Sequence, residues 1–452
     1  MTARIGNGRS RAVTRRKFLK TTGAGVAGAT LLGTGACAGF TPSVEGSAGT
    51  LVFTHGPDDS GNKTKWIDKF NEEQKGKIVV EYREMPADTG QYFDKMRTEF
   101  QAGGGTTDVI GGDVIWPAQF AANGWIMELS EVFTEERQAD FLEGPLASGK
   151  FEGGIYGVPW YADAGMLWYR RDLLKKSGFD DPPETWDELM EIAAKVQSES
   201  GLLYGYVGQG SEYEGGVCNG CEFVWNGGGE ILDPNDPTNI IIDSPESLRG
   251  LEAEALLVSE GITPLAMATY KETESLTAFK NQDAVFLRNW PYTYAEIGDP
   301  ATGSTFDPKT VYDQVGVAAI PVSETGSKSF RCLGGWSFLI NNFSTKKEQA
   351  WEFIQYMTSP EAREFFAINE SNLPPEKSFY EDKALLKKQP LLEVAGAAVA
   401  ATKPRPVHRF YSDMSLKMAE EYNESLKGET EPQDAIATLQ DQLSRIAQTK
   451  TG

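Results

Sequence analysis

The chain is 452 residues long and carries a formal net charge of −22 at pH 7, with 43 Lys and Arg against 65 Asp and Glu. That length exceeds a single hydrophobic core and predicts two lobes, while the acidic balance argues against a nucleic-acid partner, whose phosphates need cations. Only two histidines, His55 and His408, are present, which leaves a histidine-rich zinc site or a histidine relay without its usual groups; no metal and no cofactor is implied.

The first element is "TRRKFLK" (Thr14 to Lys20), a paired-arginine block leading into the mildly apolar run "TTGAGVAGATLLG". The run is too short and too weakly apolar for a spanning helix, and the whole resembles a twin-arginine export signal over residues 1–36. "GTGACAG" then resembles a lipoprotein processing box, although Thr34 stands where that pattern prefers Leu. The resemblance implies an acylated Cys37 and a polar tether over 37–49, holding the protein at the outer face of the cytoplasmic membrane; the alternative is a cysteine lost with the signal and a periplasmic protein.

"TLVFTHG" reads as a short buried strand, "NKTKWIDKFNEEQKG" as a helix with Trp66, Ile67 and Phe70 on one face, "KIVVEYREM" as a strand, "QYFDKMRTEFQAGG" as a helix and "DVIGGDVIW" as a third strand. This β-α-β-α-β rhythm predicts a parallel sheet that binds ligands past its strand ends, where Asp58, Asp59 and Asp113 fall. "PPETWDELMEIAAKVQ" predicts an amphipathic helix capped by Thr185, and "DSPESLRGLEAEALLVSEG" and "TSPEAREFFAIN" each offer Ser as N-cap with Pro at the first turn. "DAVFLRNW", "VGVAAIP" and "RCLGGWSFLI" read as strands, followed by a helix through Ala350, Phe353 and Ile354 and two C-terminal helices. "CNGC" at Cys218 and Cys221, with Cys332 elsewhere, lacks a second CxxC or an adjacent histidine. These are read as structural cysteines, with a Cys218–Cys221 or loop-to-loop bridge open to them in an oxidising compartment.

The stretch "GVPWYADAGMLWYRRDLL" places Asp163 among Trp160, Tyr161 and Trp168. A carboxylate taken from water needs partners. Either Arg170 or Arg171 pairs with it, or it awaits a polar guest. Six stretches in order carry a family resemblance: "GGDVIWPAQFAANGWIMEL", "GKFEGGIYGVPWYADAGMLWYRRDLL", "PPETWDEL", "FKNQDAVFLRNWP", "GGWSFLINNFSTKKEQAWEFI" and "TKPRPVHRFYSDMS". Nearly the whole chain after the signal resembles the extracellular solute-binding proteins, family 1, of ABC importers, in their carbohydrate class and closest to the trehalose/maltose-binding branch.

The resemblance implies a two-lobed α/β periplasmic-binding-protein fold of type II with the ligand in the cleft between lobes. Lobe 1 is expected over 50–162 and 336–380, lobe 2 over 163–335 and 381–452. By motif, Asp113, Tyr161, Asp163, Trp290, Gly335, Trp336 and Arg405 correspond to sugar contacts of that branch, and Asp59 is taken over Asp58 for the acidic residue of the first loop. Tyr92 departs from the arginine that the branch often has there. The implied partners are a disaccharide or short oligosaccharide and the permease subunits, with the protein a monomer. Residue chemistry agrees, since a sugar presents hydroxyls at its edges and C–H patches on its faces. Trp66, Trp186, Trp351 and Trp125 read instead as core, Arg405 has a surface alternative, and Glu222 and Trp225 border the cleft or belong to a structural loop. The competing function is a glycoside hydrolase acting on α-glucosides with Asp113 and Asp163 as its carboxylate pair.

Overall fold

The computed structural model describes residues 49–449 except 76 and 235, so the export signal and Cys37 lie outside the described residues. Strands β1 (Thr50–His55), β2 (Val79–Glu84) and β3 (Val109–Asp113) alternate with helices α1 (Asn62–Glu73) and α2 (Thr89–Gln101). β1 pairs in parallel with both β2 and β3, which brings the carboxyl ends of all three to one rim. α1 buries Trp66, Ile67 and Phe70 against this sheet, the spacing of three and four that makes one helical face.

β4 (Val158–Ala164) belongs to the first sheet, whereas β5 (Met166–Arg170), separated from it by Gly165 alone, belongs to a second. That sheet has the order β8-β5-β7-β6, with β6 (Tyr204–Val207), β7 (Ala284–Asn289) and β8 (Val315–Ala318). Helices α3 (Trp186–Ser200), α4 (Glu214–Asn226), α5 (Pro245–Ser259) and α6 (Glu272–Lys280) belong to this second lobe. The chain returns in β9 (Arg331–Ile340), which runs antiparallel between β3 and β4. The short β10 (Thr402–Lys403) pairs with the start of β9. α7 (Lys347–Met357) and α8 (Pro360–Glu370) pack on the first sheet, and α9 (Tyr411–Lys427) and α10 (Pro432–Ala447) pack beside α4 and α5 in the second lobe. The expected borders at 162/163 and 335/336 cut β4 and β9; both strands lie entirely in the first sheet.

Helix starts follow their caps. Thr185 and Glu188 form a reciprocal capping box on α3, and Ser244 and Ser359 accept from the backbone N–H groups of Ser247 and Ala362, each with Pro in the first turn. Such caps contribute about 1 kcal/mol each. "CNGC" lies on α4, not in a loop, and Cys218, Cys221 and Cys332 are buried free thiols. The glycines of this helix are needed by packing: a Cβ on Gly220 would meet the Tyr422 ring at 2.2 Å. Close approach of neighbouring elements offsets the intrinsic helix cost of glycine, about 1 kcal/mol.

Candidate functional site

β9 assembles the inner part of the site by register. Trp336 lies opposite Asp113 of β3 on one side and Tyr161 of β4 on the other, and Gly334 lies opposite Asp163. Residues far apart in sequence therefore share one sheet rim. Gly335 has φ +110°, and a Cβ there would stand 2.3 Å from the Tyr161 carbonyl oxygen, so only glycine fits. A Cβ on Gly334 would meet the Trp290 ring at 2.9 Å. Trp336 is held edge-on by His55 and Trp116, at centroid separations of 4.6 and 5.9 Å, and lies near-parallel to Tyr92 at 6.2 Å. Tyr92 itself is fully buried and its hydroxyl donates to the Thr54 carbonyl at 2.9 Å, so the residue that departs from the branch pattern serves as support beneath Trp336.

The charges around this rim are unequally satisfied. Asp113 Oδ1 accepts from the Ile115 N–H at 3.2 Å and from Arg405 Nη2 at 3.4 Å. Burial pushes its carboxyl up to about 6, opposed by Arg405 and reinforced by Glu214. Arg405 is buried, not a surface residue: Nη1 donates to Glu214 at 2.5 Å and Nη2 to the Leu333 carbonyl at 3.2 Å, while its Nε is buried with no partner among the described residues. Glu214 also accepts from Tyr411 and Ser415. The Asp163 carboxylate has no hydrogen bond or ion pair among the described residues; Arg170 pairs with Asp172 and Arg171 donates to the Tyr312 carbonyl, so the competing pairing does not form. Burial, then the nearby Asp113, push Asp163 up to about 8, with Arg288 opposing. Trp290 completes the group, its indole N–H 3.5 Å from Glu272.

A cleft of about 1100 Å³ adjoins this cluster. Its first-lobe wall carries His55, Asp58, Asp59, Lys63, Tyr161 and Glu370, its second-lobe wall Lys280, Tyr292, Glu296 and Asp299. Of the residues expected from sequence, Asp59 and Tyr161 line it; the others gather around Asp163, whose carboxylate acts electrostatically on both Tyr161 and Tyr292 of the lining. Burial raises both phenols well above the usual range, and neither hydroxyl has a partner among the described residues. Asp58 is committed to α1, accepting from the Lys63 and Thr64 N–H groups at 3.1 and 2.8 Å and from the Thr64 hydroxyl. Asp59 is exposed on the cleft wall.

Sequence reasoning missed Lys63, Glu214, Tyr292 and Arg288. Lys63 is 5 % exposed, and its ammonium donates to the carbonyls of Gly56 and Pro57 at 2.7 Å and to His55 Nδ1 at 2.8 Å, fastening the loop that carries Asp59. Burial lowers this lysine to about 8. Its helical position gave no signal beyond a charged residue in an amphipathic helix. Glu222 and Trp225 are interior residues of α4 and do not border the cleft. Trp66 and Trp186 are core, while Trp125 and Trp351 are half-buried.

Comparison with known proteins adds to this geometry. Residues 57–364 match the profile of the family described as bacterial extracellular solute-binding protein. A probable ABC transporter-binding protein of Deinococcus radiodurans is 31% identical over 381 residues, 81% of this chain and 86% of that protein. Maltose-bound MalE3 of T. maritima superimposes with a TM-score of 0.80 at 34% identity, covering 88% of this chain and 99% of that one. A solute-binding protein of Thermotoga lettingae TMO bound with alpha-D-tagatose gives a TM-score of 0.76 at 25% identity, covering 88% and 99%.

Proposed function

We propose that this chain, which belongs to the bacterial extracellular solute-binding proteins, captures an α-linked disaccharide or short oligosaccharide of the trehalose or maltose type between its lobes. Membership makes it a non-catalytic, solute-binding component of an ABC transporter, so the reading of Asp113 and Asp163 as a hydrolytic pair is dropped. The observation that carries the sugar reading is Asp163: a half-buried carboxylate with no donor among the described residues, beside two unpartnered phenols that line a cleft between the lobes. Burying such groups is costly unless something supplies hydrogen bonds, and sugar hydroxyls do. Trp290 and Trp336 offer flat faces to the C–H side of a pyranose, and Asp59, Asp113, Tyr161, Gly335 and Arg405 complete the contact set. The maltose seen in MalE3 and the tagatose of the Thermotoga lettingae protein support a sugar over other solutes.

Each lobe brings part of the polar set, so only the closed form satisfies all of it, and the ligand shifts the population toward closure. The permease reads that closed shape. Export through the twin-arginine pathway and acylation of Cys37 belong to the same proposal; lipid labelling of the full chain and of Cys37→Ala tests the anchor. The sugar reading is tested by thermal unfolding with mono- and disaccharides, because a ligand specific to the native state raises the midpoint. A rise with maltose or trehalose that is lost in Asp163→Ala supports it; no rise with any sugar overturns it.

A further inference from the structure

Beneath the cluster lies a buried ion pair that ligand contact does not explain. Arg288, on β7, is 1 % exposed and Glu222, on α4, 2 %. The guanidinium makes a two-pronged contact, Nε to Glu222 Oε2 and Nη2 to Oε1, both at 2.7 Å, and its Nη1 donates to Gln209 at 3.0 Å. Two things rest on this pair. The Trp290 ring lies over the guanidinium with 4.0 Å between centroid and carbon, a stacking that a planar cation favours. The backbone at Cys332 and Gly165 closes on it as well: Glu222 Oε1 accepts from the Cys332 N–H at 2.8 Å, and a Cβ on Gly165 would stand 1.9 Å from Glu222 Oε1 and 2.6 Å from Arg288 Nη2. Gly165 in turn donates its N–H to the Cys332 carbonyl at 3.3 Å.

We propose that Arg288 is a positioning residue for ligand capture: its guanidinium holds the Trp290 ring and, through Glu222, ties that ring to the backbone at Gly165, where β4 hands over to β5, and at Cys332, near the start of β9. A ligand pressing on Trp290 is thereby felt at Gly165, where the chain passes from one sheet to the other, and at Cys332 beside it. A lysine in the same place keeps the charge but cannot grip Glu222 with two prongs and present a flat face to the indole. The inference rests on the sugar reading for its purpose, and its structural content is independent of that reading.

The test therefore has an arm without ligand. In protein labelled with 5-fluorotryptophan, with Trp290→Phe to assign the resonance, Arg288→Lys shifts or broadens the Trp290 signal. Hydrogen exchange of the Gly165 and Cys332 amides quickens at least tenfold in Arg288→Lys and in Glu222→Gln. Unchanged exchange and an unchanged Trp290 resonance, in either variant that keeps the native unfolding midpoint, overturn the proposal. The ligand arm uses maltose: Arg288→Lys weakens binding at least tenfold, and the loss in Arg288→Lys combined with Trp290→Ala equals that of Trp290→Ala alone. Additive losses overturn the link through Trp290. If wild-type protein binds neither maltose nor trehalose, the sugar reading falls while the first arm still decides the positioning role.

Discussion

Lys271 of the second lobe reaches Asp88 of the first at 2.6 Å, although 183 positions separate them in sequence. Asp88 is also the N-cap of α2, accepting from the Gln91 N–H, and both the lysine and this bond hold its carboxyl below the usual range against the opposing effect of burial. A second link of this kind is made by the hydrogen bonds of Gln119 with Ser412 of α9, 293 positions apart. Lys271 is 41% exposed in its side chain, so the pair is worth only about 0.5 kcal/mol. Lys271→Gln is expected to weaken sugar affinity roughly twofold in low salt, with the difference vanishing at high ionic strength; titration calorimetry at two salt concentrations checks it.

Asp163 sets a pH dependence whose sign is fixed. Its folded pKa, about 8, lies above the ordinary carboxylate value, so the folded state holds a proton that the unfolded chain has released. Its contribution is therefore most favourable in acid and is lost progressively as pH rises from the unfolded value toward 8. Asp163→Asn should flatten the decline in midpoint across that window and raise the midpoint at pH 8. Asp113 and Glu254, raised for the same reason of burial, leave a residual slope. An unchanged profile in the variant would refute the assignment.

Sugar hydroxyls favour the ionised carboxylate, so binding should release a proton near neutrality. Affinity then rises with pH and levels off above about 8. Calorimetry in buffers of different ionisation enthalpy reads the proton directly; equal apparent enthalpies in all buffers would contradict the prediction.

Gly335→Ala forces a side chain into a left-handed backbone and against the Tyr161 carbonyl. A loss of about 2–3 kcal/mol is expected in urea unfolding, with sugar affinity falling as Trp336 and Tyr161 part.

The buried thiols give a simpler readout. Burial holds Cys218 and Cys221 well above the usual thiol range, so both resist reagents in the native protein. Denaturation in the absence of reductant should release all three thiols of Cys218, Cys221 and Cys332. A missing pair would mean a bridge.

Much of the architecture was legible because hydrophobic period and caps agree with the fold: the Thr185 box, the two Ser-Pro-Glu starts and the first five elements needed no tertiary information. Asp163 could be read because an isolated carboxylate in an apolar run violates local expectation. Lys63 and Glu214 violate nothing locally, whereas Arg288, inside the apolar strand "DAVFLRNW", carried the same signal as Asp163 and went unread. Lys63 looks like a solvated charge until the loop at Gly56 and Pro57 closes on it, and Glu214 until the fold brings it to Arg405, 191 positions away. Helix α4 was missed for the converse reason, since its glycines are unfavourable alone and required only once Tyr422 and α5 close on it.

A single residue, Gly165, separates a strand of one sheet from a strand of the other. Any swing of one lobe against the other at that point has to be absorbed by very few backbone torsions, so the crossover would serve as its fulcrum. The space beside the fulcrum is filled by a charged pair and admits no side chain, which leaves the pivot free to turn only along the path that its packing permits.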